Sequence, residues 1–220
     1  MTKQIKISIA SILFLLVAIV DVFAVINQNK SLEIVFKPLL MTILVIVYLL
    51  SVKKANFWLV SALFFSFWGD VFLLDKTNYF VFGLASFLIA HIMYIKMTSN
   101  FLHKTSVVKK VTAAVPFIVL FTVLLYVIYP NLNEMLMPVI VYGIAISCFG
   151  TLALLNYQQK KSTENTWLLL GAILFIASDS LIALNNFYKP EVIFDITIIT
   201  LYIVSQYLIV KSVIMKIKLD

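Results

Sequence analysis

The chain has 220 residues, of which 63% are hydrophobic and only 12% are charged. Soluble domains are about 45–50% apolar and about 25% charged, so a soluble globular protein is excluded. A single cysteine excludes a disulfide framework. The formal charge of +7 comes from lysines without any arginine, which argues against a nucleic-acid partner because bidentate guanidinium contacts are absent. This composition predicts a polytopic membrane protein.

Apolar segments long enough to cross a hydrocarbon core of about 30 Å recur along the whole chain. We predict an all-α transmembrane helix bundle that forms a single domain over residues 1–220. The breaks between the segments carry turn and polar residues, and none is long enough to hold a soluble domain. The eight predicted spans cover residues 5–26, 34–51, 56–74, 78–97, 107–129, 135–155, 166–186 and 192–213.

The placement of the lysines predicts the orientation of these spans, because cytoplasmic loops are enriched in basic residues. Thirteen lysines fall on one side of the predicted membrane and four on the other, alternating loop by loop. The four outer residues are Lys30, Lys37, Lys76 and Lys189. Both termini are therefore predicted to be cytoplasmic. The predicted location is the cell membrane, as the inner membrane of a bacterium.

The first two spans carry ionisable groups close to the predicted outer surface. In the first span an apolar run follows Lys3 and Lys6 and ends near Val22-Phe23-Ala24, which resembles a signal peptide with its cleavage site. The length of the span favours a retained membrane helix instead. Asp21, near the outer end of this span, is expected to be an interfacial carboxylate. The second span opens with Lys37-Pro38, where the proline suits an early helical turn. The lysine either snorkels to the surface or binds a ligand.

Asp70 and Asp179 lie inside predicted spans, where ionisable groups are costly and indicate function. Asp70 is in the third span, about 6 Å from its outer end, and Asp179 is in the seventh, about 9 Å below the same surface. Both spans run from inside to outside, so the two carboxylates reach a similar depth. Each follows a small residue, Gly69 or Ser178, that permits close helix approach. We predict that the two aspartates form a functional pair.

Polar side chains on two further spans recur at helical spacing, so they are predicted to line one cavity. The fourth span carries Gly83, Phe87, His91 and Tyr94 on one face. The eighth span carries Asp195, Tyr202 and Gln206 on one face. The predicted substrate-binding residues are Lys37, His91, Tyr94, Asp195, Tyr202 and Gln206. For the histidine, Tyr202 and Gln206, hydrogen bonding between helices is the structural alternative.

At these residues the chain resembles the YhhN family of membrane proteins, whose characterised members include lysoplasmalogenases. The similar segments lie in five spans and follow one another in order. They are Lys37-Pro38-Leu39; Phe65-Ser66 through Gly69-Asp70 to Leu73-Leu74; Phe82-Gly83 with Phe87, Ala90-His91 and Tyr94; Gly171 to Phe175 with Ser178-Asp179-Ser180; and Tyr202 with Gln206. The resemblance implies an eight-helix ether-bond hydrolase that cleaves a lysoplasmalogen to a fatty aldehyde and a glycerophospho-ethanolamine or -choline. It also implies that Asp70 and Asp179 form the catalytic centre.

Hydrolysis of a vinyl ether begins with proton transfer to carbon, after which water adds to the cation and the hemiacetal collapses. This chemistry needs a general acid and a carboxylate that stabilises the cation and activates water, and Asp70 and Asp179 fit that pair. Lys37 fits the substrate phosphate as a point charge. No cofactor and no metal are expected, because a three-histidine zinc site cannot be built from two histidines.

The expected partners are a lysophospholipid substrate and membrane lipids, with no nucleic acid. An alternative function keeps the same buried aspartates without bond cleavage. In it the chain is a membrane transporter or lipid-binding protein whose aspartates couple to protons or a cation.

Overall fold

The computed structural model describes residues 2–219, without the side chains of residues 218 and 219. Within residues 2–219 the chain forms helices and no strand, which confirms the all-α prediction. The α-helices are α1 Lys3–Ile26, α2 Lys30–Ser51, α3 Phe57–Leu73, α4 Lys76–Asn100, α5 Val107–Ile128, α6 Leu136–Gln159, α7 Thr163–Phe187 and α8 Val192–Leu219. The cytoplasmic placement of both termini concerns Met1 and Asp220, which lie outside the described residues, and it stays a prediction.

Seven of the helices within residues 2–219 are long and apolar enough to cross a membrane, so the chain is a multi-pass membrane protein. The remaining helix, α3, is equally apolar in character but has only 17 residues. At a rise of 1.5 Å per residue it is about 26 Å long, somewhat less than the hydrocarbon thickness of about 30 Å. The presence of eight helices in the described part of the chain is confirmed, whereas α3 as a membrane span stays a prediction.

Polar residues between the apolar segments cap the helices, because the first N–H groups of a helix have no partner inside it. Asn29 Oδ1 accepts a hydrogen bond from the N–H of Leu32 at 3.2 Å, at the start of α2. Asp75 precedes α4 and accepts from the side-chain amide of Asn78 at 2.8 Å and from its N–H at 3.3 Å. These bonds hold the pKa of the exposed Asp75 carboxyl below its ordinary value. The polar residues of these turns thus stabilise the first turns of the helices that follow them.

The second helix begins earlier than the sequence pattern predicts. α2 starts at Lys30 rather than near residue 34, because Asn29 caps the first helical turn, which begins at Lys30. Pro38 therefore lies inside the helix, and its missing N–H leaves the carbonyl of Ile34 without its usual partner. The prediction that Pro38 occupies an early turn is wrong. Lys37 consequently lies about 10 Å along the helix from its first residue.

The chain divides into two compact units, the first comprising Met1–Met93 and Val213–Asp220 and the second comprising Tyr94–Ser212. In unit one, α1 packs along α2, and α2 packs on α3. The buried hydroxyl of Tyr48 accepts a 2.7 Å hydrogen bond from the N–H of Asn56, which ties α2 to the start of α3. In unit two, α6 packs on both α5 and α7. A single membrane domain over residues 1–220 stays a prediction.

Candidate active site

Asp179 lies on α7 in unit two and is only 9% exposed. Tyr142 on α6 donates its hydroxyl to Oδ2 of Asp179 at 2.5 Å, a distance typical of strong bonds to a carboxylate. The preceding Ser178 donates its hydroxyl to the carbonyl of Ile198 on α8 at 3.0 Å. The aspartate is thus held by α6, and its helix is bonded to α8 one residue away.

Tyr142 is a candidate functional residue that sequence patterns did not indicate. The sixth span was predicted from hydropathy alone. A tyrosine in an apolar segment most often packs its ring in the core and bonds its hydroxyl to a polar neighbour, so its position alone does not indicate function. One signal was present: Gly143 follows the tyrosine, as Gly69 precedes Asp70. In the structure the ring of Phe121 occupies the space that a side chain at Gly143 would need. The small residue therefore lets α5 and α6 approach closely beside Tyr142.

The structure brings together three of the predicted substrate-binding residues in unit two. Tyr94 on α4 donates its hydroxyl to Oε1 of Gln206 on α8 at 2.5 Å, and both residues are fully buried. The Tyr94 ring stacks on Phe149 with ring centroids 5.3 Å apart. Phe175 on α7 contacts the rings of both Tyr94 and Tyr202 edge-on, at 6.0 and 5.6 Å. Their role in substrate binding stays a prediction.

Asp195, the remaining predicted binding residue of unit two, lies in the first turn of α8. Its Oδ1 accepts a hydrogen bond from the side-chain amide of Asn185 at 3.0 Å. The same amide group of Asn185 accepts from the N–H of Glu191 at 2.8 Å. These contacts place Asp195 in the connection between α7 and α8, and a role in substrate binding stays a prediction.

Asp70 lies on α3 in unit one and is 5% exposed. The residue before it, Gly69, leaves room for the buried Phe87 on α4: a Cβ at Gly69 would lie 2.5 Å from Cε2 of the ring. The prediction that Gly69 permits a close helix approach is confirmed. His91, one turn beyond Phe87 on α4, is fully buried in the same unit.

Lys37 lies on α2 in unit one, among carboxylates. Its Nζ is 3.8 Å from Oε2 of Glu33 one turn earlier, and its side chain is 16% exposed. Asp21 on α1 is 0% exposed, because α2 packs along α1. The burial shows that Asp21 faces neither water nor lipid, and its position at the membrane interface stays a prediction.

The predicted site residues are distributed over both units. Unit one contains Lys37, Asp70 and His91, and unit two contains Tyr94, Asp179, Asp195, Tyr202 and Gln206. The pairing of Asp70 with Asp179 stays a prediction. Among residues 2–219, no group of three or more His, Cys, Asp or Glu side chains is placed to hold a metal ion.

The profile of the YhhN family matches residues 32–213, which contain α3 to α7 and most of α2 and α8. The chain belongs to the YhhN family. The resemblance inferred from the sequence segments is thereby confirmed. All eight predicted site residues of this YhhN protein fall inside the matched region, whereas Asp21 and the rest of α1 precede it.

Two curated relatives of this YhhN protein carry the name lysoplasmalogenase, one from Mycobacterium bovis and one from Mycobacterium tuberculosis. Each is 35% identical to the chain over 135 residues, which are 59% of this chain and 50% of the relative. The matched part of the chain thus spans about half the length of the curated relatives. No solved structure matches the chain.

Proposed function

We propose that this YhhN protein is a lysoplasmalogenase-like hydrolase of the cell membrane. Its substrate is a lysoplasmalogen, and its products are a fatty aldehyde and a glycerophospho-base. The observation that carries the proposal is the 35% identity to lysoplasmalogenases over 135 residues. Two buried aspartates in apolar helices support it. Burying a carboxylate in an apolar helix bundle costs stability, so such residues indicate a functional role.

The reaction consumes one water and breaks one carbon–oxygen bond. A proton adds to the vinyl carbon that does not bear oxygen, and the electron pair of the double bond forms the new C–H bond. Water then adds to the oxocarbenium carbon and loses a proton to a base. The resulting hemiacetal gives up its hydroxyl proton to the carboxylate that protonated carbon and breaks its bond to the glycerol oxygen, which takes up the proton held by the base as the aldehyde forms. One acid and one base acting in succession satisfy every step.

We assign the base role to Asp179 and the acid role to Asp70. Tyr142 donates its hydroxyl to Asp179, and a donated hydrogen bond matches an ionised carboxylate, which accepts hydrogen bonds only. Asp179 is then suited to stabilise the cation and to take the proton from water. Asp70, buried on an apolar helix, then supplies the proton to carbon. Tyr142 acts through Asp179 as a positioning residue.

Lys37 binds the phosphate of the lysolipid in this proposal. Its ion pair with Glu33 is long, with 3.8 Å between Nζ and Oε2, so a ligand anion can compete for the lysine. The phosphodiester of the lysolipid is also an anion that accepts charge-assisted hydrogen bonds, so it can take the place of Glu33 as the partner of Lys37. The apolar faces of the helices accept the hydrocarbon chain.

The proposal is tested by aldehyde release from purified protein in detergent. We expect a vinyl-ether lysolipid to yield aldehyde, with no membrane gradient present. The matched control substrate is the saturated ether with the same chain and headgroup, which has no double bond to protonate and should be inert. Absence of aldehyde from the vinyl ether, together with lipid flux across vesicles that contain the protein, would favour a transporter instead.

A further inference from the structure

The outer half of the α1–α2 hairpin holds a buried carboxylate that the proposed chemistry does not use. Asp21 is 0% exposed, and neither of its carboxylate oxygens has a hydrogen-bond partner among the described residues. A buried carboxylate without a partner is strongly destabilising, so such a group either takes up a proton or is compensated by a bound cation. Asp21 therefore requires an explanation of its own.

Two other ionisable groups of the hairpin lie within electrostatic reach of Asp21. The hairpin turn comprises residues 27–29, so residues at similar distances from it face each other across the two helices. Asp21 is about 8 Å before the end of α1, and Lys37 is about 10 Å after the start of α2. The charges of Lys37 and Glu33 both act on Asp21. We call these three residues the hairpin cluster.

The hairpin cluster has one more negative group than positive groups. Its exposure rises from Asp21, which is fully buried, to Lys37 and Glu33, whose side chains are 16% and 21% exposed. One added cation would balance the two carboxylates. A divalent metal is a poor candidate, because no group of three or more metal-binding side chains occurs in the described part of the chain. An organic cation that supplies its own hydrogen bonds fits the cluster better.

We propose that Asp21, assisted by Glu33, binds the primary ammonium group of an ethanolamine headgroup while Lys37 holds the neighbouring phosphate; this inference rests on the proposed function. The phosphate draws Lys37 away from Glu33, and both carboxylates then face the ammonium group. A primary ammonium donates three N–H hydrogen bonds to such acceptors, as a lysine does. A quaternary choline has no N–H to donate and is recognised by aromatic faces instead. An anionic headgroup is repelled by both carboxylates.

Asp21 is thus a specificity-determining residue, and it lies outside the region that the family profile matches. Glu33 and Lys37 lie inside that region. Headgroup preference is then set by α1, whereas the catalytic aspartates lie on α3 and α7.

Equilibrium binding to the purified full-length protein tests this inference without turnover. The probes are 1-acyl lysolipids with ethanolamine, choline or glycerol headgroups, which carry an ester in place of the vinyl ether. We expect the wild type to bind the ethanolamine lipid most tightly. Asp21→Asn should weaken that binding about tenfold, the effect of losing a hydrogen bond to a charged group, and should change glycerol-lipid binding less than about twofold.

Lys37→Met is the matched variant, because all three headgroups carry phosphate, so it should weaken all three to the same extent. A second measurement needs no variant: stepwise N-methylation of the ethanolamine headgroup should lower the affinity of the wild type at each step. Equal affinity for all headgroups, or an equal effect of Asp21→Asn on all three, would overturn the inference and leave Asp21 with a structural role. Because no bond is broken in this assay, its outcome is independent of whether aldehyde is released.

Discussion

At the residue scale, the hydrogen bond from Tyr142 to Asp179 links α6, in which no functional residue was predicted, to the proposed base. The hydroxyl lies 2.5 Å from Oδ2, so it fixes both the rotamer and the hydrogen bonding of the carboxylate. In the proposed mechanism, a carboxylate that has lost this donor is free to turn away from the water it activates. In that mechanism we expect the tyrosine to contribute to turnover rather than to substrate affinity.

We expect Tyr142→Phe to lower kcat about tenfold or more and to leave KM nearly unchanged. Hydrogen bonds to charged groups contribute about 1.5–3 kcal/mol, and 1.4 kcal/mol corresponds to a factor of ten in rate. The matched control is Tyr126→Phe, because Tyr126 on α5 is 84% exposed and loss of its hydroxyl removes no buried contact. A tenfold rise in KM with unchanged kcat would assign Tyr142 to substrate binding instead.

At the element scale, α7 and α8 approach each other closely at Gly171, two turns before Asp179. A Cβ at Gly171 would lie 3.1 Å from the carbonyl oxygen of Ser205, 3.2 Å from the backbone N of Ile209 and 2.7 Å from Cγ1 of the same residue. Two of these atoms are backbone atoms of α8, which cannot move without shifting the helix. Gly171 thus sets the spacing of the helices that carry Asp179 and Gln206.

We expect Gly171→Ala to destabilise the protein by about 1–3 kcal/mol, the usual cost of overpacking, measured as a lower midpoint of thermal unfolding in detergent. Gly83→Ala is the matched control. A Cβ there meets the half-buried side chain of Leu73 at 2.7 Å, and that side chain can rotate away, so the loss should be smaller. Equal losses in the two variants would contradict the backbone contact at Gly171.

The helices themselves follow from the sequence, because lipid-facing helices must be apolar along their whole length and polar caps separate them. The start of α2 was missed, since the turn at residues 30–33 is polar yet helical once Asn29 caps it. Periodicity also predicted the face shared by Tyr202 and Gln206. It did not predict the partner of Tyr142 or the burial of Asp21, because both depend on which neighbouring helix packs there.

At the scale of the whole molecule, the lysine distribution predicts that the outer surface carries the α1–α2 and α3–α4 turns. We expect single cysteines introduced in a Cys148→Ser background to show this, since Cys148 is exposed and would react itself. In intact cells, Lys76→Cys should react with an impermeant thiol reagent, and Lys161→Cys should react only after the cells are opened. Both lysines are exposed positions, so the reverse pattern would contradict the orientation.

The proposed function requires Asp70 and Asp179 to act as one acid–base pair. Asn retains the size of Asp and much of its hydrogen bonding but cannot transfer a proton. Residues that act as a unit are strongly non-additive when they are replaced. The exposed Asp75, which caps α4, offers a matched Asp→Asn control, because Asn also caps helices well.

The most direct test is the kcat of aldehyde release by Asp70→Asn, Asp179→Asn, the double variant and the Asp75→Asn control. We expect each catalytic replacement to lower kcat on the order of 10²–10⁴-fold, the usual contribution of a general acid or base. The double variant should be hardly slower than either single one, and Asp75→Asn should keep wild-type turnover. Loss of a general acid or base should leave far less than about a tenth of wild-type kcat. If Asp70→Asn or Asp179→Asn folds normally and keeps more than that, the paired mechanism is contradicted.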